Sequence, residues 1–322
     1  MSDREPDEDT SVRDAVERSR SGAPAVGEVI RDRFGTDEVF QRIIAAADEE
    51  VTTDARELFF SALAGGFAIT LTFLIYSSMT AKTDGAPLLS ALLYPIGFIY
   101  IILGGYQLYT ENTVPPVALV LERLASVPAM LRQWWIVLVG NFAGGLFGAL
   151  ILSQTGVFSP EAAAVAVDIS RKGVETGFWD LFFKAGFAGL IVAGVVWLDF
   201  AARETISRFF LVYIAFLLIP LADLFHVVVS FTELMYLVFL GEAALLPGLV
   251  GFVLPVLLGN TIGGVVLVTL VNYFQTTERR VESTREDGVE RQLSLRELVG
   301  GSSVGRTYVP TDKPTKRRRE DE

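Results

Sequence analysis

The chain holds one histidine, His226, set in an apolar stretch three residues after Asp223 and seven before Glu233. An ionisable side chain at membrane depth is expensive and biased toward function. An imidazole near neutral pH can donate a hydrogen bond to a small carboxylate or pass a proton. Asp223 shares a helical face with His226 if the helix continues that far, and its carboxylate could hold the ring in one tautomer; the other reading is a cap for broken backbone. A second polar stretch, Leu108-Tyr109-Thr110-Glu111-Asn112-Thr113, interrupts another apolar run and leads into Pro115-Pro116. Glu111 and Glu233, at the two interruptions, read as caps for exposed backbone N–H groups or as vestibule carboxylates that repel anions. Asn141 and Asn260 read as amides that tie the interrupted helices, with Gly144, Gly145, Gly263 and Gly264 allowing close helix approach.

Composition removes most other chemistry. With no Cys in 322 residues, disulfides, thiolate nucleophiles and cysteine metal sites are excluded, and one His leaves no pair to share a metal. Neither cofactor nor metal is expected, and the chain does not read as an enzyme. Lys+Arg 27 against Asp+Glu 38 gives a net charge of −11, which argues against nucleic-acid binding. Only 5 of the basic residues are Lys, and residues 1–57 hold 16 acidic against 8 basic side chains. This acidic, Arg-over-Lys balance suggests a cell with high internal salt, of haloarchaeal type.

The elements that must position these residues are membrane spans. Mean hydropathy of +0.44 with 51% hydrophobic residues is a membrane protein's composition. Apolar runs near the roughly 20 residues that cross a bilayer lie at Leu58–Met79, Gly85–Thr110, Gln133–Pro160, Leu181–Trp197, Phe209–Phe225 and within Ala243–Thr277, six spans in all. Residues 1–36 read as a disordered acidic tail, 37–275 as the channel domain with an N-terminal amphipathic helix, and 276–322 as a charged tail. That helix, with Val39, Ile43, Ile44 and Ala47 on one face, would lie on the membrane or a neighbouring subunit, or stand as an exposed linker. Arg56, Arg123, Arg132, Arg203, Arg208, Arg279 and Arg280 gather on one side of the six spans. Lys82, Arg171 and Lys172 are the basic residues of the other side, so both termini are expected in the cytoplasm and the protein in the plasma membrane.

The six spans divide into similar halves. Glu57-Leu58-Phe59-Phe60-Ser61-Ala62 is echoed by Asp180-Leu181-Phe182-Phe183-Lys184-Ala185, and Gly140-Asn141-Phe142-Ala143-Gly144-Gly145 by Gly259-Asn260-Thr261-Ile262-Gly263-Gly264, at offsets of 123 and 119 residues. Three-span halves begin on opposite sides of a membrane, so the repeat is inverted and its pathway lies between the halves. The middle span of each half carries the polar interruption, so helices 2 and 5 are expected to be broken. Half-helix N-termini facing one another favour anions.

At these residues the chain resembles the formate/nitrite transporter family, through Leu108-Tyr109-Thr110, Gly140-Asn141, His226 and Gly259-Asn260-x-x-Gly263-Gly264, in order over roughly residues 37–275. The resemblance implies an all-α, aquaporin-like protomer of six transmembrane helices with helices 2 and 5 broken, assembled as a homopentamer with one pore per protomer. Lipid or side chains would seal the opening on the axis. It makes His226 the central pore histidine and Thr110 the threonine facing it, unless Thr110 bonds its own loop. Leu108, Phe98 and Ile219 become candidates for apolar constrictions, and Asn112, Asp223, Asn141 and Asn260 supports of the pore. The chain departs from the family at Phe225, where the family has Glu, at Gly189, near a family Asn, and at Glu111 and Asn112, where small hydroxyl residues follow the threonine.

The function this implies is passage of a small monovalent weak-acid anion such as formate or nitrite, by a channel or together with protons. A transport-inactive scaffold or sensor, and an aquaporin-like pore for neutral solutes, are the alternatives. No Asn-Pro-Ala motif supports the last.

Overall fold

The computed structural model describes residues 34–276, 289–290, 292–303 and 308–309, and it is helical almost throughout. The expected acidic tail lies almost wholly outside the described residues. Helix α1, Thr36–Thr52, turns Val39, Phe40, Ile43, Ala47 and Val51 inward. Ala47 and Val51 pack with Leu119, Leu124, Ala125 and Ala129 of the same chain. The face expected to meet lipid, a neighbouring subunit or solvent therefore covers the protein's own core.

Five helical stretches are long and apolar enough to cross a membrane, which makes this a multi-pass membrane protein: α2 (Ala55–Lys82), Pro87–Gly104, α6 (Val127–Gln154), α8 (Phe178–Ala201) and α11 (Leu245–Gln275). Pro87–Gly104 comprises α3 (Pro87–Ala91) and α4 (Ile96–Gly104), and after an irregular stretch α5 (Pro115–Leu121) follows. Between α6 and α8 runs an amphipathic helix the sequence reading passed over, α7 (Pro160–Glu175), started by the Ser159 side chain, which accepts from Ala162 N. The expected span Phe209–Phe225 is instead two shorter apolar helices, α9 (Thr205–Leu221) and α10 (Val227–Leu240). Ser230, Thr232 and Glu233, read as part of the interruption, lie within α10. The break is only residues 222–226, following Pro220, which supplies no backbone donor.

Two helix pairs form the frame, α2 against α6 and α8 against α11. Each is drawn together at a glycine. A Cβ on Gly66 would strike the carbonyl of Asn141, and one on Gly189 the carbonyl of Asn260. This gives Gly189 its physical reason, because no side chain, Asn included, fits there while α8 stays this close to α11.

The C-terminal residues expected as a charged tail contain structure. Leu293 N donates to Arg123 O at 2.8 Å, Arg123 Nε donates to Leu293 O at 2.6 Å, and Ser126 Oγ donates to Ser302 O at 2.5 Å. Helix α12, Leu295–Gly300, opens on a capping box between Ser294 and Glu297. Strands β1 (Val289–Glu290) and β2 (Tyr308–Val309) pair antiparallel, Val289 opposite Val309. The basic run Lys316–Arg319 lies outside the described residues.

Candidate functional site

Helix α4 ends where Gly105 takes a left-handed φ of 69°, a conformation glycine adopts without a Cβ penalty. The chain then runs irregularly to the short 3-10 turn Glu111–Thr113. Backbone groups exposed by such a break must find partners. Asn141 supplies them: Oδ1 accepts from Tyr109 N at 2.8 Å, and Nδ2 donates to Ala62 O at 2.7 Å and Gln107 O at 2.9 Å. At the second break Asn260 does the same, with Oδ1 accepting from Val227 N at 2.8 Å and Nδ2 donating to Ala185 O at 2.8 Å and Phe225 O at 3.0 Å. Each clamp holds the residues on both sides of one position. That position is Leu108 at the first break and His226 at the second.

The two breaks meet at one bond. Thr110 Oγ1 and His226 Nε2 are 2.8 Å apart, and both residues are 1% exposed. The edge of His226 stands on Phe98, ring centroids 5.0 Å apart, and Phe98 stacks on Phe216 at 3.9 Å. Phe98, Phe216, Leu108 and Ile219 are all fully buried in the same core. Phe216, one turn before Ile219, was missed by the sequence reading, although the spacing of α9 places it on the same face. Asn112 is buried beside the pair, its Nδ2 donating to Gln107 Oε1 at 2.8 Å and its carbonyl accepting from Trp134 Nε1 at 2.7 Å.

A cavity of about 420 Å³ is lined by Gln107, Glu111 and Asn112 of the first break, with Glu49, Glu50, Glu57 and Asp199. A second, of about 100 Å³, is lined by His226 and Phe225 of the second break, with Ser230, Glu233, Tyr76 and Lys172. The Thr110–His226 bond links a segment of one cavity's wall to a segment of the other's. Asp223 is not the partner of His226. Its carboxylate takes Lys172 Nζ at 2.5 Å and Lys184 Nζ at 3.0 Å, while His226 Nδ1 has no hydrogen-bond partner. The physical reason is the backbone: α9 stops at Leu221 and Asp223 has φ 57°, so the three-residue spacing no longer puts the two side chains on one face. Nor do Glu111 and Glu233 cap. The helix starts beside them carry no side-chain cap bond, and the two carboxyls line the two cavities. Lys184 also lies over the ring of Phe225, 5.8 Å from its centroid.

Glu50, on α1 and outside the spanning helices, accepts from Gln133 Nε2 at 3.0 Å. Burial pushes its carboxyl up to about 7, against the opposing pull of Gln133 and Gln107. The folded chain thus holds a proton that the unfolded chain releases near the usual carboxylate pKa. Stability is lost as pH rises from about 4.5 to about 7 and stays lost above that. Glu50→Gln should therefore melt higher than the parent at pH 8 and level with it at pH 4; a melting curve in detergent at the two values checks the sign.

A multi-pass helical membrane protein with two amide-clamped breaks meeting between cavities is the class this geometry defines. The family model described as Formate/nitrite transporter matches residues 37–274, and the chain belongs to that family. Among its relatives, the inner membrane protein YfdC of Escherichia coli is 30% identical over 74% of this chain and 77% of its own length. The uncharacterized transporter YrhG of Bacillus subtilis is 26% identical over 78% and 96%. The formate channel FocA of Haemophilus influenzae is 26% identical over 48% and 56%. Among solved structures, an FNT family ion channel superposes with a TM-score of 0.67 at 21% identity, covering 74% of this chain and 99% of that one. A pentameric formate channel with formate bound gives 0.59 at 20%, covering 69% and 97%. The fold is shared with both.

Proposed function

We propose that this protein carries small monovalent weak-acid anions of the formate or nitrite kind across the membrane, each with a proton, along a path centred on His226 and Thr110. The observation that carries this reading is the buried 2.8 Å bond between Thr110 Oγ1 and His226 Nε2, which joins His226 of one cavity's wall to the neighbour of Glu111 in the other's and is walled by Phe98. A buried imidazole and a hydroxyl can replace part of an anion's hydration and move its proton, while the apolar ring makes a bare charge costly. Leu108, Phe98, Phe216 and Ile219 form that ring in this reading, and Asn112, Asn141 and Asn260 hold it.

Six crossings are read as α2, α3–α4 with α5, α6, α8, α9 with α10, and α11, in two inverted halves. The matching clamps of Asn141 and Asn260, each with a glycine of the facing helix against its carbonyl, support the repeat. With the N-terminus inside, the 420 Å³ cavity is the inner one and the 100 Å³ cavity the outer. A homopentamer, as in the formate channel of the same fold, would cover exposed apolar side chains such as Phe60 and Phe183, with lipid on the rest.

Charge favours the proton-coupled form over free anion flow. Lys172 and Lys184 exceed the single Asp223 that binds them, so once Glu233 of the same cavity is protonated the outer mouth is net positive and attracts anions. The inner cavity is lined by Glu49 and Glu57 besides the buried Glu50, Glu111 and Asp199, and its ionised carboxylates would repel an anion but not the neutral acid. The test is uptake of labelled formate by the purified full chain in high-salt liposomes, with and without an inward proton gradient. Gradient-stimulated uptake is expected. Vesicles silent to formate, nitrite and acetate alike would overturn this reading in favour of a scaffold that has kept the fold.

A further inference from the structure

We propose that Glu233 is the proton-loading group of the outer cavity, supplying His226 through Ser230; the assignment rests on the transport reading above and adds the route of its proton. Ser230 and Glu233, three residues apart in α10, share one helical face, and His226 is the N-cap residue at the start of that helix. All three line the same cavity, and none is more than 7% exposed. His226 Nδ1 and Ser230 Oγ are buried without a hydrogen-bond partner, while His226 Nε2 is taken by Thr110. Buried polar groups are ordinarily paired, and two unpaired ones in the wall of one cavity point to water or a proton donor as their missing partner. At about 100 Å³ the cavity has room for about three waters at ~30 Å³ each.

The groups facing Glu233 leave it free to exchange a proton. Tyr76 comes from α2 and Tyr94 from the turn before α4, both neutral phenols. Lys172 comes from α7, with its ammonium held by Asp223, which also engages Lys184 from α8. No titratable side chain of α6 or α11 lines the cavity among the described residues. Glu233 is thus a carboxyl of this cavity to which no cation is bound among the described residues.

The proton balance is simple. A hydronium of the outer solution gives a proton to the Glu233 carboxylate and is left as water. The resulting acid passes its proton to a water of the cavity, which gives one to Ser230 Oγ as the serine's own proton moves through a second water to His226 Nδ1, leaving Glu233 ionised, both waters and Ser230 neutral and His226 an imidazolium. The imidazolium gives one proton to the anion, which leaves as the neutral acid, and the imidazole is restored.

Formate uptake by the full-length protein in liposomes, followed against external pH, tests the assignment with Glu233→Gln and Glu233→Asp. Wild-type uptake should rise as external pH falls. Glu233→Gln should flatten that profile and slow gradient-driven uptake about a hundredfold, the low end for losing a positioned proton-transfer group, and Glu233→Asp should restore the slope. A Gln variant with the wild-type profile overturns the assignment. Infrared difference spectra across the same pH range give a readout independent of transport. A protonated-carboxyl C=O band that titrates with external pH, vanishes in Glu233→Gln and moves in Glu233→Asp upholds Glu233 as the exchanging group; unchanged bands in the Gln variant overturn it. Wild-type vesicles silent to every anion would sink the transport reading, and the infrared band would still decide the role of Glu233 in proton exchange.

Discussion

His226→Asn should reduce gradient-driven formate uptake about a hundredfold and abolish its dependence on external pH, without unfolding the protein. The residue sits at the N-cap of α10 with φ −115° and ψ 129°, extended backbone that asparagine adopts freely, and asparagine is among the best N-cap residues. Folding is therefore protected by the choice of substitution. What the amide cannot do is take up a proton near neutral pH, and it offers an anion no charge-assisted bond. Such a bond contributes about 1.5–3 kcal/mol. At about 1.4 kcal/mol per tenfold, its loss at the upper end gives the hundredfold expected. Side-by-side uptake rates over a range of external pH check this. Wild-type rate and slope in the variant would remove His226 from the path.

The features legible in the sequence are those that rest on local pattern. The apolar runs around Leu58–Met79 and Leu181–Trp197 required no tertiary knowledge, and the structure extends both by a few residues, to Ala55–Lys82 and Phe178–Ala201. Asn141 and Asn260 were legible as ties because both stand in the same Gly-rich setting, and the bonds are the ones an amide can make to a broken backbone. The errors arise where sequence spacing was converted to a shared helical face. Asp223 was placed beside His226 on the assumption of continuous helix, and the left-handed residue at Asp223 turns its carboxylate to Lys172 and Lys184, 51 and 39 residues away in the chain. Glu233 was assigned to a break that closes seven residues earlier, since Ser230 and Glu233 face a cavity from within α10 and Thr232 Oγ1 donates to Val228 O of the same helix. The docking of Leu293 on Arg123 was illegible for a different reason: the Arg123 guanidinium and carbonyl bond the backbone carbonyl and N–H of Leu293, groups that every residue has, 170 residues away in the chain.

The amide clamps should matter most for stability. Asn260→Leu keeps the side chain's approximate size but leaves Val227 N–H, Ala185 C=O and Phe225 C=O without the partners they have now. Leaving a buried group unpaired costs about 1–3 kcal/mol; Ala185 C=O keeps its bond within helix α8, so the two groups of the break, Val227 N–H and Phe225 C=O, put the loss at about 2 kcal/mol or more. Asn141→Leu strips the equivalent set, Tyr109 N–H, Ala62 C=O and Gln107 C=O, and should cost a similar amount. Thermal melting of each variant in the same detergent measures the effect, and a variant melting within a degree or two of the parent would show that its clamp is dispensable. Asn260→Asp should be worse than Leu. It preserves the acceptor for Val227 but loses both donors and turns a carboxylate toward two carbonyl oxygens in a buried site. The same clamps tie stability to transport. Asn260 grips the backbone immediately before and after His226, and Asn141 grips it on both sides of Leu108, so loosening either lets one wall of the Thr110–His226 contact drift. The Leu variants should consequently lose uptake before they lose fold, at temperatures where melting curves still report a native protein.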